Sequence, residues 1–353
     1  MDLPEGVTSN TVQTERLKTH YLAAGPEDGE VIVFIQGNLA SARFFEHLFP
    51  SLPGYRIIAP DMRNFGDSEE LAIDATRGLR DWSDDTRALL DHLGVDKPLH
   101  LVGWSTGGAA IANYAVDHPG RVASLTMIDP VSPFGFGGTH GTDGTALPDY
   151  AGSGGHSAAP EFVEALTKGD TSDESNMSPR NVMRGFYWSP NYEMDSKRED
   201  MLVTEILKSA IGDHGYPGDG TSTNRWPNIA PGTTGILNAL SGKYCRWDDI
   251  VGLEPKPPIL WTHGTEDLIV SDSSLFEMGT LGKMGAVPGW PGDEEHPPQP
   301  MVQQIDNVLN RYAAAGGTVR KEMFEGSGHG PHIDADQAWL RVFKDFLTNV
   351  VVA

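Results

Sequence analysis

Residues 100–115, HLVGWSTGGAAIANYA, allow few ways of folding. An apolar run leads into Ser105, Gly103 and Gly107 stand two positions to either side, and a row of very small residues follows. A serine so placed sits on a sharp turn between a buried strand and a helix. The strained turn needs small neighbours, and the helix needs Gly108, Ala109 and Ala110 to lie tight against the sheet. The same turn exposes Ser105 Oγ and aims the Thr106 N–H and the helix N-terminus at an oxygen under attack. Alone, a G-x-S-x-G match is weak, and the plain alternative is a glycine-rich loop opening a helix. The strand before it and the helix after it supply the context that a nucleophile requires.

The rest of the chain supports a sheet around this turn. Residues 31–37, 55–61, 99–105, 122–129, 257–264 and 318–326 are β-rich runs, several almost continuously apolar, as in strands buried on both faces of a parallel sheet. Residues 81–94 and 334–347 carry apolar positions at helical spacing. Strand–helix alternation predicts an α/β fold with a mostly parallel central sheet flanked by helices. The alternation breaks after Asp129. Residues 131–253, rich in Gly, Pro, Asp and Ser with helical patterns at 159–169 and 198–212, read as an inserted, mainly helical cap. The predicted organisation is therefore a first core part (1–130), a cap (131–253) and a second core part (254–353). A further insertion, residues 279–300, is too long for an ordinary connection and reads as a functional or packing loop.

With these motifs in place, the sequence resembles the α/β-hydrolase superfamily from about residue 11 to residue 350, the cap excepted. That resemblance implies catalytic groups in the chain order Ser, Asp or Glu, His. THGTEDLIV resembles the family's G-x-x-D motif, which makes Asp267 the expected acid, with Asp129 at the end of the preceding strand as rival. Glu266, beside Asp267, is expected to point elsewhere. EGSGHGPHID makes His329 the expected base and His332 the fallback. The oxyanion hole is expected from the N–H groups of Thr106 and of Asn38 or Leu39, with Asn38 favoured. In IQGNLASARFF, Gln36 stands where most relatives have His. DMRNFGDSE resembles the D-x-R-G-x-G-x-S loop, with Asn64 in place of a glycine, and Arg63 there reads as structural.

Relatives that displace halide or open epoxides carry Asp at the elbow. Asn38 sits where dehalogenases keep a halide-binding Asn, but a serine alkyl ether could not be hydrolysed onward, so Ser105 points to acyl transfer. An ester or lactone is the expected bond. Amides, peracids, thioesters and the C–C bond of a diketone are also compatible with the resemblance, as is a slow-turnover binding protein of the same fold, which nothing in the sequence favours. An aminopeptidase would need an acidic cluster, but the whole chain is acidic, so that feature does not discriminate. Leu39, Trp104, Phe186, Tyr187 and Trp188 are candidate pocket residues for a largely apolar small molecule; the bland alternative is that the cap aromatics only form the cap's own core.

Composition narrows the partners. With 26 basic and 49 acidic residues, the net charge is −23, which repels nucleic acid and anionic membranes. A single cysteine excludes an intramolecular disulfide, and no leader-like or membrane-spanning run is apparent, so the cytoplasm is the expected location. The histidines show no metal-ligand spacing, and no metal or cofactor is expected.

Overall fold

The computed structural model describes residues 2–350. Eight strands form one sheet: β1 (Val7–Gln13), β2 (Lys18–Ala24), β3 (Glu30–Ile35), β4 (Tyr55–Pro60), β5 (Leu99–Trp104), β6 (Val122–Ile128), β7 (Ile259–Gly264) and β8 (Val319–Phe324). Their order is β1-β2-β4-β3-β5-β6-β7-β8. β2 runs antiparallel to β1 and β4, and the remaining pairings are parallel. The six runs read from sequence are β3 to β8. β5 is buried at every position, which explains its unbroken apolar character. The hairpin of β1 and β2 escaped the reading because β1 is a half-exposed edge strand, VTSNTVQ, with a mostly polar face.

Helices α1 (Arg80–His92) and α2 (Thr106–Asp117) follow β4 and β5. Between β6 and β7, residues 129–258 leave the sheet and carry α3 (Pro160–Lys168), α4 (Pro179–Phe186), α5 (Ser196–Ile206) and a short helix at Ile236–Leu240. α5 starts where Asp195 accepts from the N–H groups of Lys197 and Arg198, and it stops earlier than the sequence pattern implied. The Ala210 N–H donates to Asn64 O at 2.8 Å, so the chain leaves the helix to dock on the core. After β7 come α6 (Met301–Ala314) and, after β8, α7 (Asp336–Asn349).

Residues 279–300 pack against the excursion. Trp226 Nε1 donates to Pro288 O at 2.8 Å, and the Trp226 ring meets His296 edge-on at 4.7 Å. Gln299 donates to Gly135 O and accepts from the Gly137 N–H. The D-x-R loop is also structural: Arg63 makes a two-pronged ion pair with the buried Asp85. Asn64 adopts φ 69°, the left-handed conformation that the usual glycine would supply and that Asn tolerates better than most residues.

Candidate active site

Ser105 lies between β5 and α2 at φ 55°, ψ −115°. A side chain in that region is strained by about 1–3 kcal/mol, and the surroundings hold it there. The Ser105 N–H donates to Ile128 O at 2.8 Å, and its carbonyl accepts from Gly108 at 3.0 Å and Val131 at 3.1 Å. A Cβ on Gly103 would collide with the Gly107 carbonyl, and one on Gly107 with the Ile35 carbonyl. The small residues around the serine are therefore dictated by backbone crossing backbone.

The N–H groups of Thr106, Asn38 and Leu39 donate to no protein acceptor among the described residues. Gly37 brings the Asn38 loop close: a Cβ there would stand 3.2 Å from both Ser105 Cβ and the Trp104 ring. Leu39 takes φ 51°, and Gln36 Nε2 donates to Ala40 O across the bend, so the glutamine staples this loop from within.

The sequence-predicted acid and base meet. His329 Nδ1 donates to Asp267 Oδ2 at 2.8 Å. Asp267 Oδ1 accepts from Ile269 N at 2.7 Å and Val270 N at 3.0 Å, which fixes the carboxylate plane. Burial acts to raise the Asp267 pKa, but the His329 charge and hydrogen bond outweigh it and hold the carboxyl below its ordinary value. Glu266 turns the other way and accepts from Ser189 Oγ at 3.0 Å. His332 reaches no carboxylate. It is fully buried with both ring nitrogens unpartnered, packed against Phe45 and Trp104, and burial holds it well below the usual histidine range. Asp129 is wholly buried and accepts from the Gly264 N–H at 2.8 Å.

A residue that the sequence did not single out ties this loop to the excursion. Asp334 Oδ2 accepts from Gly328 N at 2.8 Å and from Ser189 N at 2.9 Å, and Oδ1 accepts from Ser327 Oγ. Of the aromatics, Tyr187 packs on Trp104 at 5.8 Å and on Trp188 at 5.6 Å, while Trp188 lies directly over Gly328 and Gly330. Phe186 packs one step away, edge-on to Phe276 at 4.9 Å. Ser105 is left only 7% exposed. A surface groove of about 540 Å³ beside His156, Val163 and Lys168 contains none of these residues.

A second hydrogen-bonded Ser–His–Asp chain exists elsewhere. Ser9 Oγ pairs with His20 Nε2 at 2.8 Å, and His20 Nδ1 donates to Asp61 Oδ2 at 2.6 Å. Ser9 sits mid-strand on exposed β1, in extended backbone paired along its length with β2 rather than on a tight turn. Asp61 also accepts from the N–H groups of Ala42 and Asp67, so this chain braces the D-x-R loop. What distinguishes Ser105 is the strained turn and the free N–H groups around it.

The sheet order, the elbow after β5 and the Asp–His pair after β7 and β8 together decide the architecture. The chain has the α/β-hydrolase fold. A family model described as the alpha/beta hydrolase fold matches residues 30–160. The chain is 32% identical over 129 residues to 2-hydroxy-6-oxo-6-phenylhexa-2,4-dienoate hydrolase from Burkholderia cepacia, covering 35% of this chain and 44% of that protein. It is 28% identical over 180 residues to carboxylesterase YbfK from Bacillus subtilis (strain 168), covering 50% and 57%. The chain thus spans about half the length of the curated relatives it matches. An esterase structure from Exiguobacterium antarcticum superposes with a TM-score of 0.59 at 14% identity, over 97% of this chain and 100% of that one, a likeness of fold. Among the described residues, no helix is long and apolar enough to cross a membrane.

Proposed function

We propose that the protein is a serine hydrolase that cleaves a carboxylic ester or lactone through an acyl-enzyme on Ser105, under a cap formed by residues 131–253. The observation that carries this reading is the Asp267–His329 hydrogen bond, formed at the same end of the sheet as the strained Ser105. Ser105 Oγ attacks the carbonyl carbon while His329 Nε2 takes its proton. The oxyanion receives hydrogen bonds from the N–H groups of Thr106 and Asn38, and Asp267 stabilises the imidazolium. The imidazolium returns the proton to the departing alkoxide. Water, deprotonated by the same nitrogen, then attacks the acyl-enzyme, and the acid leaves as Ser105 regains its proton.

Trp104, Tyr187, Trp188 and Leu39 favour a largely apolar small molecule. A second substrate class, the C–C bond of a keto-dienoate, is favoured by the name of the 32%-identical relative, and Ser105, His329 and Asp267 would serve there too. Purified protein assayed on chromogenic esters, lactones, anilides and a keto-dienoate separates the two readings. A fluorophosphonate should label Ser105, read by mass spectrometry. No label and no turnover on any class would overturn the hydrolase reading.

A further inference from the structure

Behind the acid–base pair lies a second carboxyl that the mechanism above leaves unused. Asp129 follows β6 with its own N–H donating to Thr262 O at 2.9 Å, which brings its side chain alongside the end of β7. The ligand-type atoms of Asp129, His263 and Asp267 all lie within 4.8 Å of one another, and all three residues are buried. Two carboxylates this close in a dry interior cannot both carry charge, because burial penalises each anion and each repels the other.

Counting donors shows which one keeps the charge. Asp267 accepts three hydrogen bonds, from Ile269 N, Val270 N and His329 Nδ1. Asp129 accepts one, from Gly264 N at Oδ1, and its Oδ2 is buried with no hydrogen-bond partner. His263 does not compensate it. Its Nε2 donates to Val270 O at 2.9 Å, so a neutral ring presents only a lone pair at Nδ1, 3.6 Å from Asp129 Oδ1. Burial holds that ring neutral, against the pull of Asp267 and Asp272. The other charged groups facing the pair are Asp334, which opposes a second anion, and His329, on the far side of Asp267. Burial first, and the Asp267 charge second, push the Asp129 pKa well above the carboxylate range. A metal ion in this trio would have to displace the His329 hydrogen bond from Asp267 Oδ2 and the His263 hydrogen bond to Val270, which are already made.

We propose that Asp129 is a neutral carboxyl that donates its proton in a hydrogen bond to the Asp267 carboxylate, acting as a positioning residue behind the acid. The pair then carries one negative charge. The donated hydrogen bond lowers the basicity of Asp267, which keeps the His329 Nδ1 proton on the imidazole. It also gives the orphaned Asp129 Oδ2 a partner, removing an unsatisfied buried polar group.

The effect on catalysis rests on the hydrolase reading, but the location of the proton does not, so the two are tested separately. Infrared difference spectra at neutral pH should show a protonated-carboxyl C=O stretch that disappears in Asp129→Asn and in Asp129→Ser. Those variants separate it from Glu277, another buried carboxyl whose pKa burial raises. Loss of no band in either variant overturns the proposal, whatever the protein hydrolyses. In turnover assays, Asn can donate to Asp267 and accept from Gly264, so Asp129→Asn should keep kcat within about threefold and leave the acid limb of the pH profile in place. Asp129→Ala, which cannot donate, should shift that limb to higher pH and lower kcat about tenfold. An Asp129→Asn variant whose acid limb moves to lower pH, or whose kcat collapses, would mean that Asp129 is ionised or is itself the acid. Failure of fluorophosphonate to label Ser105, with the Asp129 band present, would remove the hydrolase reading and leave the proton where it is proposed.

Discussion

Trp104 Nε1 donates to the main-chain carbonyl of His329 at 2.6 Å, so the residue before the serine holds the residue that carries the imidazole. Serine and histidine arrive from β5 and from the loop after β8, and this bond, between residues 225 positions apart in sequence, gives them a common frame. Trp104→Phe keeps the ring and removes the donor. The buried carbonyl is left unsatisfied, at about 1–3 kcal/mol. Turnover should fall about tenfold, mainly in kcat, because reacting groups displaced by a fraction of an ångström lose alignment. Steady-state kinetics with a thermal melt checks this; an unchanged kcat would show that the loop is held by other contacts.

Ser105→Ala should reduce turnover by roughly 10⁶-fold, the loss seen when the serine of a protease triad is removed. Ser105→Gly should be as inactive but should melt at a higher temperature than Ser105→Ala, since glycine accepts φ 55° without a Cβ penalty. Equal melting temperatures would mean that the turn carries no strain.

Asp267→Asn should cost roughly four orders of magnitude in kcat with little change in folding, as in the serine-protease template. Glu266→Gln should leave kcat nearly intact, because Glu266 faces Ser189. Parallel assays of the two variants decide between neighbouring carboxyls.

Stability should fall on acidification. His47 is held at about 3 and His296 at about 4, and His332 lies well below the usual range, in each case chiefly through burial. Below about pH 6.5 an unfolded chain binds these protons while the folded one does not. The stability they permit is complete above that pH and is lost as pH drops toward 4, by about 1.4 kcal/mol per pH unit for each withheld proton. Urea midpoints should descend between about pH 7 and about pH 5, and His296→Gln should make the descent shallower. An unaltered slope in that variant would show that His296 titrates normally.

Gly328→Ala probes the contact between the base loop and the excursion. A Cβ there would collide with the Trp188 backbone. Melting temperature and kcat should both drop, because the clash is with backbone that no side-chain change at Trp188 would clear. An unchanged melting temperature and kcat would show that the excursion shifts aside without disturbing the loop.

The elbow was legible because its constraints are local: Gly103, Gly107 and Gly108 are fixed by backbone contacts within a few residues or with the adjoining β3 and Pro130. Asp267 and His329 were legible through short motifs at strand ends. The β1 strand was not, because an edge strand with one wet face carries little apolar signal. Asp334 was missed for another reason. Its partners Ser189, Ser327 and Gly328 come from two distant stretches, and an aspartate beside a helix has many ordinary explanations. Asp129 stood out only as a rival acid, since its nearness to Asp267 depends on β6 and β7 lying side by side.

The Asp334 carboxylate has a further consequence. It grips Ser189 of the excursion and Gly328 of the histidine loop with the same oxygen atom. Lifting that strap to uncover Ser105 would take a hydrogen bond away from the anchor of the loop that carries the imidazole. The two segments are thus fastened at one oxygen atom, so a displacement of either is passed to the other.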